Sequence, residues 1–243
     1  MNTKIKDFFY THATTKVDNK EYKNIDFIKK TAKAITQTTG LGVYVFDYYK
    51  HEMLYISENI PQWFDIPKNK RYDCEYYIQF INKKDLKMLL EINNAAFEYW
   101  NNNSEKELNQ FTVSYNFRFK GIMLNQHYAP ILNHDNKIWF GLCTVSISSE
   151  KKPGHIIMDI GNQTILEYSL ALKRWIPKEK IILTKREKTI IRYSAQGYSV
   201  KEIAQITETS FETIKTHKKN IFTKLKVNTI AEAVRYAINN NML

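Results

Sequence analysis

The sequence has little cysteine and no long apolar run, and both shortages limit what the 243-residue chain can be. Cys74 and Cys143 lie far apart without CxxC or Cys/His spacing, so we predict two small core residues in a reducing cytoplasm. The longest uncharged apolar run, Ile138 to Ser148, is shorter than the roughly 20 residues of a membrane-spanning helix. No N-terminal apolar segment resembles an export signal, so we expect a cytoplasmic protein without a membrane partner.

Common catalytic and nucleotide-binding motifs are absent as well. The sequence contains no HExxH motif, no P-loop, no GxGxxG and no GxSxG. The absence of these motifs argues against a metalloprotease, a nucleotide-dependent enzyme or a serine hydrolase. We therefore predict that the protein is not an enzyme, with no catalytic residues, no metal site and no required cofactor.

The positive charge is unevenly distributed along the chain. The net charge is +11, which indicates a polyanionic partner if the basic groups are concentrated. Residues 178–243 carry 13 Lys and Arg against 6 Asp and Glu, a net charge of +7, whereas the preceding residues carry 23 against 19. The C-terminal quarter is therefore the candidate for binding a polyanion.

Two turn-rich breaks, KKPG at 151–154 and IPKEK at 176–180, divide the chain. A composition of 43% hydrophobic and 14% aromatic residues supplies enough apolar material for folded cores on either side of them. The predicted parts are an N-terminal segment with one helix (1–39), an α+β domain (40–150), a connecting hairpin or linker (151–177) and a basic helical domain (178–243).

The hydrophobic period in the second part changes repeatedly, which favours an α+β fold. Residues 86–100 have helical spacing, whereas residues 111–119 alternate strictly between apolar and polar side chains. Strand-like runs occur at 42–50, 53–57, 111–119, 122–132 and 137–148. We expect an antiparallel sheet with helices packed on one face.

The order of two strands, helices and three strands, with YVFDYYKHEMLYISENI and FINKKDL, resembles a PAS-type sensory domain. In that family, the sheet and the helices between strands two and three enclose a pocket for a small ligand or cofactor. RYDCEYY around Cys74 does not match the flavin-photosensor motif, and the helix at 86–100 has no histidine for haem. Two alternatives stay open: a pocket for an unknown small molecule, or a filled aromatic core that serves dimerisation.

Asp47, which follows the run VYVF, offers a different interpretation as the phosphoacceptor of a receiver domain. A receiver also needs an acidic pair near the end of an earlier strand, a late lysine and a parallel sheet. Because the periods favour antiparallel pairing, we expect the sensory α+β domain instead.

The basic segment contains signals for four short helices. Thr184–Glu187, Ser199–Glu202 and Thr229–Glu232 are capping boxes, Ser210 can cap a further helix, and Gly197 suits the left-handed residue that ends the first. The expected inward positions are Ile190, Ile191, Ser194, Ala195, Ile203, Ala204, Ile206, Ala233, Val234, Ala237 and Ile238. Four short helices of this kind indicate a small bundle in which the third helix, Phe211 to Lys226, is exposed on the surface.

The third helix separates an apolar stripe from a basic face. At 100° per residue, the stripe comprises Ile214, Ile221, Phe222 and Leu225. The opposite face comprises Lys215, Thr216, Lys219 and Lys226. Lys218 lies beside the stripe and is expected to snorkel. Such a helix fits the major groove of B-DNA, although a lysine face exposed only to solvent is the common alternative.

The motifs LTxRE (183–187), AxG (195–197), KEIA (201–204), SxxTIKxH (210–217) and KLxV (224–227) resemble a LuxR-type helix-turn-helix domain. The resemblance implies sequence-specific binding of double-stranded DNA, usually by a homodimer on two half-sites. It implies that Lys215, Thr216 and Lys219 face bases. Lys201, Thr213 and His217 would lie near phosphates. The remaining predicted DNA-binding residues are Thr223 and Lys226.

The segment departs from the family at Thr207 and Thr209, where leucine and isoleucine are usual, and at Thr229, where arginine is usual. We expect the threonine methyl groups to bury less apolar area, and the domain to be less stable as a result. The predicted function is a transcriptional regulator whose PAS-like domain senses a signal or mediates dimerisation. The alternative is a signalling or scaffold module whose basic domain binds a protein partner.

Overall fold

The computed structural model describes residues 22, 25–50, 52–67, 74–103, 111–148, 150–161, 164–179, 181–240 and 242–243. The chain divides into two compact units, Met1–Glu179 and Lys180–Leu243. Most of the predicted N-terminal segment, residues 1–21, lies outside the described residues. Across the described ranges, no helix has both the length and the apolar character needed to cross a membrane.

The first unit is built around one antiparallel sheet. Its elements are α1 (Ile25–Thr39), β1 (Gly42–Asp47), β2 (Glu52–Ile56), α2 (Asn59–Trp63), α3 (Cys74–Ile78), α4 (Lys83–Asn103), β3 (Thr112–Phe119), β4 (Ile122–Leu132), β5 (Ile138–Ile147), β6 (Gly154–Asp159), β7 (Thr164–Ser169) and β8 (Arg174–Glu179). The strand order is β2-β1-β5-β4-β3-β6-β7-β8. The predicted antiparallel sheet is confirmed, and β1 and β2 form a hairpin within it.

One face of the sheet packs against α4. The alternation predicted in β3 holds, because Val113, Phe117 and Phe119 are buried in the main core. Residues of α4 spaced three to four positions apart belong to the same core, including Phe97 and Trp100. Cys143 is a free, buried residue of this core, as expected, whereas the side chain of Cys74 lies outside the described residues.

The opposite face is also covered, although the sequence predicted helices on one face only. Val43 and Val45 alternate with the residues of β1 that face α4, so they project to the other side. There they form a second core with Ala32 of α1 and Phe140 of β5. Helices therefore pack on both faces of the sheet, because the apolar stripe of α1 needs a partner.

The segment predicted as a connecting hairpin continues the sheet instead. β6 and β7 do form a hairpin, but β6 pairs with β3, and β8 adds a strand that was not predicted. Met158 and Leu166 are buried in the main core, which draws these strands into the first unit. β8 is the edge strand, where Pro177 is tolerated although it donates no hydrogen bond.

The surroundings of Asp47 indicate a structural role and not that of a phosphoacceptor. Its carboxylate is buried and accepts hydrogen bonds from the Tyr22 hydroxyl (3.0 Å) and from the backbone N–H groups of Tyr49 and Lys50 (2.9 Å each). The strands beside it are antiparallel, unlike those of a receiver. Asp47 therefore stabilises the turn after β1.

The second unit is helical, with α5 (Lys185–Ala195), α6 (Val200–Ile206), α7 (Phe211–Leu225) and α8 (Ile230–Asn239). Its core contains most of the predicted inward residues, with Ile190, Ile191, Ile203 and Ile214 at most 1% exposed. Ala195, Ile206 and Ile238 are exposed, contrary to expectation. Ile238 follows the buried Ala237 by 100° of helix rotation, which carries it out of the core.

Candidate nucleic-acid interface

Capping side chains determine where the helices of the second unit begin. The predicted boxes at Thr184, Ser199 and Thr229 are all present, each with the hydroxyl accepting from the N3 backbone and the glutamate accepting in return. The Ser210 hydroxyl caps α7 by accepting from the Thr213 N–H at 3.0 Å. Local sequence therefore sets the starting point of every helix that surrounds α7.

The connections between these helices are short and hydrogen-bonded. After α5, Gly197 has a φ of +90°, and the Tyr198 N–H bonds to the Tyr193 carbonyl. After α6, Glu208 takes the same left-handed role, and the Thr209 N–H bonds to the Ala204 carbonyl. Both are Schellman-type endings, which leave the chain little freedom before the next helix starts.

Thr207 and Thr209 use their hydroxyls, where only methyl packing had been expected. The Thr207 hydroxyl donates to the Ile203 carbonyl at 2.5 Å and lies 2.9 Å from the Thr209 hydroxyl. Arg186 of α5 donates to the Thr207 carbonyl at 3.2 Å and to the Thr209 hydroxyl at 2.5 Å. Arg186 thus makes a polar contact between α5 and the turn through these two threonines.

The apolar stripe of α7 is buried as predicted, which leaves its basic face outward. Ile214, Ile221 and Leu225 are buried, and Phe222 packs at the margin of the core. The exposed members of the predicted set are Lys201, Lys215, Thr216, Lys219, Thr223 and Lys226. Thr213, His217 and Lys218 are half-buried, consistent with the expected position of Lys218 beside the stripe.

Lys226 lies outside the helix in which it was predicted. α7 ends at Leu225, and Lys226 has a left-handed φ of 54°. Its position on the basic face cannot therefore be obtained by continuing the helical rotation. The Val227 N–H bonds to the Phe222 carbonyl and closes this end of α7.

Several side chains on the exposed face already have local partners. The Lys215 ammonium lies 3.3 Å from a Glu212 carboxylate oxygen and 4.5 Å from the centre of the Phe211 ring. The Thr216 and Thr223 hydroxyls donate to backbone carbonyls one turn earlier, so their lone pairs face outward as acceptors. For the Lys219 ammonium group, no such contact is found in the described part of the chain. Lys219 is therefore more available to a ligand than Lys215.

Lys224 has a different role from the lysines of the exposed face. Its ammonium lies 2.8 Å from Oε2 of Glu187, a buried carboxylate at the start of α5. Burial opposes ionisation of Glu187, but hydrogen bonds from Lys224 and from Thr184 outweigh it and lower the pKa of the carboxyl. Lys224 and Arg186 both join α5 to the α6–α7 region, and helical spacing alone did not indicate either contact.

Replacing Glu187 by glutamine is expected to lower the free energy of unfolding of the second unit by about 1–2 kcal/mol near neutral pH. The ionised carboxylate contributes stability above the ordinary pKa of 4.5, and this is lost as the pH falls through the lowered pKa of the folded state. The two proteins should therefore become similar in stability once the pH has fallen below the lowered pKa of the folded state. Urea unfolding followed by circular dichroism measures both values.

Glu202→Gln is the matched control for this prediction. Glu202 occupies the same position in the capping box of α6 but is exposed, and no lysine contact is found for it among the described residues. Its replacement should cost less stability than that of Glu187. Equal losses in the two variants would show that the Lys224 contact adds nothing beyond the cap.

Comparison with known proteins agrees with this arrangement of capped helices around α7. Residues 181–237 match the family model described as bacterial regulatory proteins of the luxR family. The C-terminal unit is a LuxR-type helix-turn-helix domain. The match covers less than a quarter of the chain, so it identifies the LuxR-type domain and leaves the first unit unassigned.

Curated relatives match the chain over about a quarter of its length. The Fimbriae Z protein of Salmonella typhimurium is 46% identical over 61 residues, which are 25% of this chain and 29% of that protein. The response regulator protein VraR of Staphylococcus aureus is 42% identical over 62 residues, which are 26% of this chain and 30% of that protein. The chain thus spans less than a third of the length of these relatives.

One solved structure matches over a larger share of the chain. The phage VqmA–DPO complex covers 91% of this chain and is covered to 91% by it, with 12% identity and a TM-score of 0.32.

Proposed function

We propose that the protein is a sequence-specific DNA-binding transcriptional regulator. The observation that carries the proposal is the exposed basic face of α7, which the LuxR-type domain presents while its apolar stripe is buried. A helix of this kind fits the major groove, where lysine ammonium groups reach guanine O6 and N7. The short turn between α6 and α7 sets the angle of the reading helix against its support.

The exposed side chains divide into two groups by their proposed role. Lys215, Thr216 and Lys219 are proposed to contact base edges. Lys201, Thr213 and His217 are proposed to lie near the phosphate backbone, and Thr223 and Lys226 are proposed to contact DNA as well. Lys215 must exchange its contact with Glu212 for one with DNA, so its net contribution to affinity is smaller than that of Lys219.

The first unit is proposed to be a PAS-like domain that senses a signal or mediates dimerisation. Supporting this are the order of two strands, three helices and three strands over residues 42–147, and a cavity between the sheet and those helices. Dimerisation on two half-sites is proposed from the resemblance of the C-terminal domain to its family. A two-fold symmetric operator would be the corresponding DNA.

The test is selection of binding sites from a random pool of double-stranded DNA with the full chain, followed by anisotropy titrations at several salt concentrations. We expect a palindromic sequence to be enriched. Its affinity should fall linearly with salt on logarithmic axes, because bound phosphates release counterions. No enriched sequence, together with no salt-dependent affinity, would reject the proposal.

The second candidate is a module whose basic domain binds an acidic protein. The contact of Lys215 with Glu212 favours this second function, because a carboxylate from the same helix already pairs with the basic face. In that case the chain would bind any DNA weakly and without preference for sequence. The selection described above separates the two functions.

A further inference from the structure

The first unit contains a cavity of about 120 Å³ between the sheet and helices α2–α4. Its walls come from inward-facing residues of the strands, such as Phe46 and Phe117, and from Ile60, Tyr77 and Leu89 of the helices. An engineered apolar cavity of about 150 Å³ binds benzene. The cavity of this protein therefore has room for one six-membered ring and is too small for haem or a flavin.

The cavity wall carries no charge at neutral pH. The described residues that line it include no aspartate, glutamate, lysine, arginine or histidine. Burial raises the pKa of Tyr44, Tyr48 and Tyr115 well above the ordinary tyrosine value, and raises that of the Cys143 thiol to about 12. A charged ligand would lose its hydration without gaining a counterion, which disfavours it strongly.

One part of the wall is polar and has hydrogen-bonding capacity to spare. The amide of Gln126 is buried between two tyrosines, with Oε1 accepting from Tyr44 at 2.7 Å and Nε2 donating to the Tyr115 hydroxyl at 2.5 Å. Because Tyr115 accepts this bond, its own proton remains to be donated. No acceptor for that proton is found among the described residues.

Tyr128 supplies a second hydroxyl next to the same cavity. It is 8% exposed, and its hydroxyl makes no well-formed hydrogen bond with a described residue, although the Tyr48 hydroxyl is its neighbour. A buried hydroxyl without such a bond destabilises the folded protein unless something satisfies it. Two phenolic donors thus border a space whose wall is mostly apolar, with the amides of Asn93 and Gln126 and the other tyrosine hydroxyls as its further polar groups.

We propose that this cavity binds one small uncharged ring compound that carries a hydrogen-bond acceptor, a carbonyl oxygen or a ring nitrogen, against the hydroxyls of Tyr115 and Tyr128. The volume limits the ligand to a single ring, and the uncharged wall favours a neutral ligand. The two hydroxyl donors require the ligand to carry a hydrogen-bond acceptor. The inference deepens the proposed sensory role. Binding is measured without DNA, so failure to bind DNA would leave this result unaffected.

The experiment is calorimetric titration of the full chain with three ring probes: 2-pyridone, toluene and benzoate. 2-Pyridone is uncharged and carries a carbonyl acceptor, toluene has no acceptor, and benzoate has acceptors but is charged. We expect saturable one-to-one binding of 2-pyridone. Toluene should bind about 5- to 10-fold more weakly because it lacks the hydrogen bond, and benzoate at least about 10-fold more weakly because it must lose its hydration.

Tyr128→Phe and Tyr115→Phe test the polar contacts, with Tyr168→Phe as the matched control. Tyr168 is also buried and its hydroxyl bonds to Glu91, but it does not line the cavity. Tyr128→Phe and Tyr115→Phe should each weaken 2-pyridone binding about 5- to 10-fold, and Tyr168→Phe should leave it unchanged. Since Tyr128→Phe removes a poorly satisfied hydroxyl, its melting temperature should equal or exceed that of the wild type.

Saturable binding of 2-pyridone that depends on both Tyr115 and Tyr128 would support the proposal. Three results would overturn it: no saturable binding of 2-pyridone, benzoate binding as tightly as 2-pyridone, or equal effects of Tyr128→Phe and Tyr168→Phe. The first of these would indicate a cavity that holds water only.

Discussion

Lys219→Ala is expected to weaken binding to the selected DNA site by about 5- to 150-fold, the equivalent of about 1–3 kcal/mol. Lys219 is exposed on α7 and has no tether comparable to that of Lys215 within the described chain, so its ammonium group is available to a base. Loss of a base contact removes discrimination at one position of the site. Anisotropy titrations against the selected site and its single-base variants would measure both the affinity and the lost preference.

Lys201→Ala is the control that separates a base contact from a phosphate contact. Lys201 is exposed in α6, outside the reading helix. Its replacement should weaken binding to all sequences alike and reduce the slope of affinity against salt by about 1. If both variants bind every sequence as the parent does, the basic face of α7 does not read DNA.

Ile214→Ala should cost about 2–5 kcal/mol of the free energy of unfolding of the LuxR-type domain. Ile214 is 0% exposed and lies in one core with Ile190, Ile191 and Ile203, so its removal leaves a cavity among three helices. A small domain has a total stability of only about 5–15 kcal/mol, so DNA binding should be lost on moderate heating. The reason is that the basic face exists only while the apolar stripe is buried.

The two units can be followed separately in this experiment. All four tryptophans precede residue 180, so tryptophan fluorescence reports on the first unit, whereas circular dichroism detects the helices of both. We expect Ile214→Ala to shift the helical transition to lower urea without moving the fluorescence transition. Ile206→Ala is the matched control, since Ile206 is 44% exposed and its loss should change stability by less than about 1 kcal/mol. Similar shifts in the two variants would contradict the core assignment.

Local pattern was sufficient to predict much of this protein. The alternation in residues 111–119 predicted β3, and the capping boxes at Thr184, Ser199 and Thr229 predicted where three helices begin. These features depend on residues at most a few positions apart, whose geometry is governed by backbone hydrogen bonding and by period. The buried stripe of α7 followed from the same regular rotation.

Contacts between distant residues did not follow from these patterns. Spacing does not show that β6 pairs with the free edge of β3, because edge pairing depends on which backbone groups remain unpaired after the sheet has formed. The contact of Arg186 with Thr209 and that of Lys224 with Glu187 also require the helices to be assembled first. Pairing across 20 or more residues is a property of packing rather than of local sequence.

Charge and helical rotation are local properties, so the amino-acid sequence was sufficient to predict that the C-terminal quarter is basic, helical and capped, and which residues of α7 face outward. Tertiary structure alone decided that residues 151–179 extend the sheet and that α1 covers its second face. It also decided that tyrosine hydroxyls border a cavity, since Tyr115 and Tyr128 meet only when β3 and β4 pair. Side chains far apart in sequence acquire a shared environment only through the pairing of strands and the packing of helices.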